Sequence, residues 1–401
     1  MQTRLMINLI FARMELTCKC VPTRPQRGVI AQLLEVLFAL RGRATFTNLA
    51  RFASRHEQTF RRHFAQVFDW VGFNLAVLRL RIHPRETLIG VFDCTLLPKS
   101  GRHTYGLDRF FCTQDRRSKR GLEVSLLGVV AAESRRTTVL DVTQTPAGLS
   151  VPATKAATSY TRMDFYLEQA TDVLRRLRRH SGAPTVTHWV GDGNYARRKI
   201  FDGLGAEGCY LITRLRSDAR LRPPYTGPQP AGRGRKRQYG EQIQFNQIGP
   251  AGHPESLSSP MDPVGVLPDK PDVDLFTTVA RSPNLKRWLR VVLLRSRSTG
   301  DYVLLASSDT EQPAEEIVAY YRLRYQLELR IRDAKQHAGL THCQARSQEK
   351  IDFHVNLSLA AVNLGRWMSQ QTGLSLHSLR REAHARFIAS QILTHLGLEA
   401  E

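Results

Sequence analysis

The chain has 401 residues, 42% of them hydrophobic, which is enough for two or three folded domains with real cores. Its formal charge of +22 points to a polyanionic partner, with nucleic acid the leading reading and a generally arginine-rich composition the plain alternative. No apolar run approaches the ~18 residues a membrane span needs, so no membrane partner is expected. With nucleic acid the leading partner, no small-molecule substrate is expected either.

Met1 to Met14 shows no apolar core followed by a small-residue cleavage site, so no signal peptide is expected, and Met6 and Met14 leave the start codon open. Six cysteines (Cys18, Cys20, Cys94, Cys112, Cys209, Cys343) form no C-x-x-C pair and match no His spacing. Reduced thiols in a cytoplasm are expected, and no zinc.

Gly28 to Ile82 reads as helical. Val29–Leu40 has apolar residues at helical spacing, Thr45–Ser54 is a second short helix, and Glu57–Phe64 a third, with Phe60 and Phe64 on one face and Arg61 and Arg62 on another. Two short helices with a tight break suggest a helix-turn-helix, in which Arg61, Arg62 and His63 would touch DNA; an ordinary helical bundle with solvated arginines is the alternative.

From Thr87 the pattern changes. Leu88–Phe92, Leu122–Val130 and Thr137–Val142 read as strands, the first buried on both faces, with connections short enough for antiparallel pairing. A basic amphipathic helix (Asp164–Arg179), a strand (Val186–Val190), a helix (Arg197–Leu204) and a strand (Cys209–Thr213) follow. This order matches an RNase H-like α/β sheet by analogy. Between Arg216 and Gly300 prolines and glycines surround the run Arg233-Gly-Arg-Lys-Arg237, predicting a loop-rich, partly disordered segment with strands at Leu275–Val279 and Leu289–Leu294. Tyr302–Ala306 returns to a core-like strand. A long helix is predicted from Pro313 to His337, then helices over Ile351–Gln371 and Ser375–Leu396.

Asp93 directly follows the first strand and Asp192 stands two residues after Val190. A carboxylate at the end of a buried strand is costly unless compensated, and a metal ion compensates it well; helix caps and turns such as Asp192-Gly193-Asn194 use the same residues. The long helix adds Tyr321, Arg324, Glu328 and Lys335. At about 100° per residue these fall near 0°, 300°, 340° and 320°, an arc of about 60°. One carboxylate among a phenol, a guanidinium and an ammonium suits a metal-bound phosphate. A solvated stripe with an Arg324–Glu328 pair is the alternative.

Tyr-x-x-Arg-x-x-x-Glu-x-x-x-x-x-x-Lys resembles the YREK signature of the insertion-sequence-four family of bacterial DDE transposases. Asp93-Cys-Thr95 with Lys99-Ser-Gly101 resembles the family's first-aspartate motif, and Val190–Tyr195 its second, so the resemblance spans Asp93 to about Trp367 in order. The Pro-rich stretch from Arg222 to Pro271 departs from the better-known members.

The resemblance implies an RNase H-like mixed sheet with flanking helices, interrupted by a β-rich insertion and preceded by an N-terminal helical DNA-binding domain. Its expected boundaries are 1–85 for that region, 86–216 and 300–372 for the two parts of the core, 217–299 for the insertion and 373–401 for a C-terminal helical region. It implies that Asp93, Asp192 and Glu328 bind two Mg²⁺ or Mn²⁺ ions, that Tyr321, Arg324 and Lys335 hold DNA phosphate, and that the enzyme nicks transposon ends and transfers them into target DNA. A hairpin intermediate and a homodimer on DNA, joined through the last helices, are implied on the same ground. Further DNA contacts are weaker: Lys99, Arg233, Arg235, Lys236 and Arg237 for the backbone, and Trp288 and Tyr325 for stacking on an unpaired base. Two alternatives share the core: a decayed or domesticated DNA-binding copy, and a structure-selective nuclease without strand transfer.

Overall fold

The computed structural model describes residues 2–17, 22–112, 115–149, 160–179, 186–229, 232–249 and 260–398. Within them the chain is a mixed α/β protein that splits into two compact units. The first comprises Met1–Thr87, Asp93–Thr185 and Tyr325–Glu401; the second comprises Leu88–Phe92 and Val186–Arg324.

The first unit opens with five helices, α1 (Gln2–Thr17), α2 (Arg24–Ala39), α3 (Phe46–Arg51), α4 (Glu57–His63) and α5 (Trp70–Arg81). Sequence reading gives no helix at α1, yet Met6, Ile7, Ile10, Phe11 and Met14 recur at helical spacing and are all buried. Phe11 meets Phe73 of α5 edge-on, with ring centroids 5.9 Å apart. The α3–α4 pair forms as expected. Phe64 sits 4.3 Å, centroid to centroid, from Phe353 of α9 (Gln348–Thr372), so these helices share that helix's core.

The unit's strands are the latter part of β1 (Leu88–Pro98), β2 (Asp108–Cys112), β3 (Arg117–Ala131) and β4 (Thr137–Gln144). β3 pairs antiparallel with β2 through its first residues and with β4 through its last, and β1 neighbours it. From Gly121 to Ala131 every residue of β3 is buried, which takes helices on the faces of the sheet. Fully buried Asn363 of α9 fits that need: its amide donates to Val139 O (2.8 Å) and Asn74 Oδ1 (2.9 Å) and accepts from Val139 N–H (3.1 Å). α6 (Arg162–Arg178), the latter half of α8 (Ala314–His337) and α10 (Leu376–His395) complete the unit.

In the second unit the start of β1 pairs parallel with β5 (Val186–Gly191), and β5 pairs parallel with β6 (Tyr210–Leu215). α7 (Arg198–Ala206) connects β5 to β6 and buries Ile200, Phe201 and Leu204. β10 (Tyr302–Ser307) pairs antiparallel with β6, and beyond it come β9 (Arg287–Ser296), β8 (Lys270–Ser282) and β7 (Asp262–Leu267). The two expected insertion strands are thus the middles of longer ones. β7 forms where the prolines predict loop; it is the last strand in the order, and Pro263 sits at a register shift, both tolerant of a missing N–H. The stretch between β6 and β7, expected to be partly disordered, is irregular but anchored where it is described. Leu221, Ile243, Phe245 and Ile248 are buried, and bridges join Arg222 to Arg281 and Pro224 to Tyr239. Among the described residues no helix is long and apolar enough to cross a membrane.

Candidate active site

The run Leu88–Phe92 is fully buried, but β1 does not end there. It continues to Pro98 with half-buried Asp93 in its middle, a correction to the strand-end placement expected from sequence. Apolar periodicity alone marks only the doubly buried stretch; the rest of β1 is held by its place beside β3. Asp93 Oδ1 accepts the Cys94 N–H at 2.8 Å. Thr95, two residues on and therefore on the same strand face, accepts a hydrogen bond from Lys335 Nζ at 2.7 Å. Lys335 lies seven residues beyond Glu328 on α8, on the same stripe of that helix. The first unit thus holds Asp93, Thr95, Glu328 and Lys335.

Asp192 belongs to the second unit, where it caps the short 3-10 turn Gly193–Tyr195. Its Oδ1 accepts the Asn194 N–H at 2.9 Å, its Oδ2 the Asn194 Nδ2 at 3.1 Å, and its carbonyl the Thr213 hydroxyl at 2.8 Å. Besides this local cap, aromatic rings pack against the turn. Buried Tyr195 stacks on Phe92 with centroids 4.9 Å apart, and Phe92 lies 4.8 Å from Trp189. Glycine leaves room for them: a Cβ at Gly90 would stand 2.4 Å from Trp189, and one at Gly191 2.8 Å from Tyr195.

Tyr321 and Arg324 lie in the second unit with Asp192. Burial pushes the Tyr321 phenol above its ordinary pKa; the Arg324 and Arg214 guanidiniums pull it down and the Asp192 carboxylate pushes it up. Tyr321 therefore stays protonated, able to donate, within electrostatic reach of Asp192 and two cations. Arg214 is absent from the sequence reading. The parallel register sets Thr213 opposite Gly191, so the next residue falls beside the Asp192 turn, and the Arg214 carbonyl would lie 3.3 Å from a Cβ on Gly193.

Tyr321, Arg324, Glu328 and Lys335 are all half-buried on one helix, while Arg322, Tyr325 and Arg332 between them are exposed. Among the described residues no group of three or more His, Cys, Asp or Glu is drawn together as for a metal. The cysteines whose side chains are described, Cys94, Cys209 and Cys343, form no disulfide.

The weaker candidates scatter. Lys99 donates to the Cys343 carbonyl, and burial lowers its pKa. Arg61 lies over the Phe46 ring at 4.9 Å and pairs with Glu57 at 3.4 Å, while Arg62 is exposed. Burial lowers the pKa of His63. Arg233, Arg235, Lys236 and Arg237 are exposed, Arg237 lying 5.7 Å from the Tyr225 ring centroid. Trp288 is half-buried with its ring 5.7 Å from that of Tyr239, and Tyr325 is 54% exposed.

Residues 17–267 match the family described as DDE superfamily endonuclease, well over half of the chain. The chain belongs to that family. The matched residues include Asp93 and Asp192 and end before the helix of Glu328. The mixed α/β architecture is compatible with an RNase H-like DDE fold. No curated protein matches the chain. Among solved structures it is similar to endonuclease V of Ciona intestinalis in complex with a 24mer DNA containing an inosine followed by a ribo-adenosine. That likeness is 10% identical, covers 76% of this chain and 96% of that one, and has a TM-score of 0.26, too slight to bear on the fold.

Proposed function

We propose that this DDE endonuclease is a transposase of the insertion-sequence-four type. In this reading it binds the terminal inverted repeats of an insertion sequence, cuts the DNA there and joins the freed ends to a target. The observation that carries it is the α8 stripe: Tyr321, Arg324, Glu328 and Lys335 at the signature's spacing and each half-buried, with Lys335 anchored to Thr95 two residues from Asp93. The charge of +22 supports DNA as the partner.

Asp93, Asp192 and Glu328 would hold two Mg²⁺ or Mn²⁺ ions. The donor set fits: carboxylate oxygens, partly shielded from water, suit hard divalent cations. When bound, such ions activate the attacking water or 3′-hydroxyl and stabilise the leaving 3′ oxygen. The chain's own groups supply the rest. The protonated Tyr321 phenol donates to a phosphate oxygen, and Arg324 and Lys335 hold the phosphate charge, with Arg214 a further cation beside Asp192. A homodimer on DNA in a bacterial cytoplasm belongs to the same reading.

The family's description as endonucleases favours one rival, a DNA nuclease with the same core that cuts without rejoining. The separating experiment incubates the protein with a duplex carrying the element's end, a target plasmid and Mg²⁺. Covalent joining of the end to the plasmid is expected. Nicked or linear products with no joined species would establish the nuclease instead.

A further inference from the structure

The ribbon formed by β2 and the start of β3 is strongly cationic, and within it Arg109 donates across the ladder to the Ser118 carbonyl at 3.3 Å. From Arg109 to Arg120 the sequence holds five cations (Arg109, Arg116, Arg117, Lys119, Arg120) against one acid, Asp115. The register sets Arg109 directly opposite Arg120 and Phe111 opposite Ser118. Side chains alternate along a strand, so these four share one face. All four are exposed, Phe111 by 63%, and the ladder places no acid among them. Like charges directly opposite across a ladder cost stability, and a large exposed aromatic contributes none. Arg116, at the turn, takes a left-handed φ of 49° that glycine or asparagine would hold more cheaply. Asp115 is paired with Lys119 at 2.6 Å.

The other face is anchored. Phe110 is 1% exposed, with the Arg162 guanidinium 5.1 Å from its ring centroid, and Arg162 pairs with Glu123 at 3.4 Å. At the root of the ribbon a Cβ on Gly121 would stand 2.6 Å from the Leu97 carbonyl, so glycine lets β1 approach closely four residues beyond Asp93.

We propose that the exposed face of this ribbon is a docking surface for double-stranded DNA. Arg109 and Arg120 take phosphates on either side of a groove, and Phe111 lies against sugars and base edges within it. The major groove, about 12 Å wide, admits a two-stranded ribbon, and phosphate contacts of this kind set the position of the duplex. β3 then ties the bound duplex to the strand that carries Asp93. The proposal rests on the DNA reading above and extends it to a surface outside the carboxylate motifs.

The test measures binding of the full chain to a fluorescent duplex across a salt series. For Arg109→Ala/Arg120→Ala the slope of log K against log salt should become shallower by about 2, since each lost phosphate contact removes about 0.9. Phe111→Ala should weaken binding about tenfold with the slope unchanged. Arg120→Glu places an acid opposite Arg109, so its melting temperature should hold or rise while affinity at low salt falls about tenfold or more. Folded variants with wild-type affinity and slope would overturn the ribbon while leaving the DNA reading intact. Failure of the wild-type chain to bind the duplex would overturn both.

Discussion

Gly90 stands opposite Trp189 in the β1–β5 register, and a methyl group there would meet the indole at 2.4 Å. That indole packs on Phe92, on which Tyr195 stacks beneath the Asp192 turn. Gly90→Ala should therefore cost about 1–3 kcal/mol through overpacking and lower the melting temperature measurably. An unchanged melting temperature would show that β5 shifts to make room and that the packing does not fix the turn. A second residue carries a pH signature. Burial raises the Asp352 carboxyl to about 6, against a lowering backbone hydrogen bond from Gln144 and with the Asp141 and Glu349 charges adding to the rise. Its Oδ1 has no hydrogen-bond partner among the described residues. Because the folded pKa lies above the unfolded value of about 3.9, the stability it contributes is complete below that value and is lost as pH rises through about 6. Asp352→Asn should then raise the melting temperature at pH 8, by an effect on the order of 2 kcal/mol, and leave it nearly unchanged near pH 4. A variant that melts lower at both pH values would contradict this. Asp192 and its turn are legible in the sequence because Asp-Gly-Asn is a local signal. Arg214 is not, because its place beside that turn depends on how β5 and β6 pair.

α8 brings the signature residues onto one stripe, and its own attachment to the first unit is ionic as well as apolar. Buried Asp333 accepts Arg330 at 3.1 Å on the same helix and Arg366 of α9 at 2.6 Å. Burial pulls the Arg330 guanidinium down to about 10, with the Arg366 charge adding to the fall. In Arg81 of α5 burial does the same, to about 9, and Arg330, Arg136 and Arg366 add their repulsion. Asp333→Ala leaves these cations together without their carboxylate and should cost about 3–5 kcal/mol, read as a large fall in melting temperature. A fall of under about 1 kcal/mol would mean that water replaces the carboxylate there. This helix is legible because its period extends over many residues. β7 is not, because Pro263 within it masks a strand that lies at the end of the order, where a missing N–H is tolerated. α1 escapes because arginines and polar residues dilute its apolar stripe, although the spacing of Met6, Ile10 and Met14 is there to be read.

At the scale of the whole molecule the net charge of +22 belongs with a DNA partner, and the family match places the chain among DDE endonucleases. Most strands and helices of the core are read from hydrophobic pattern alone, but β2 is missed because its five residues are too few to show a period. The division into units is not. One boundary falls inside β1, between Phe92 and Asp93, and another inside α8, between Arg324 and Tyr325, where no composition shift or linker marks it. The proposed carboxylates follow that division, with Asp93 and Glu328 in one unit and Asp192 in the other. The central claim is that all three serve one metal-dependent reaction, and Glu328 is the acid that the matched family residues do not include. The most direct measurement is cleavage of a duplex carrying the element's end in Mg²⁺ or Mn²⁺ by the wild type and by Glu328→Ala, with DNA binding measured in parallel. The account predicts metal-dependent nicking by the wild type that falls by at least about a thousandfold in the variant while binding is retained. Equal cleavage by the two proteins would contradict it.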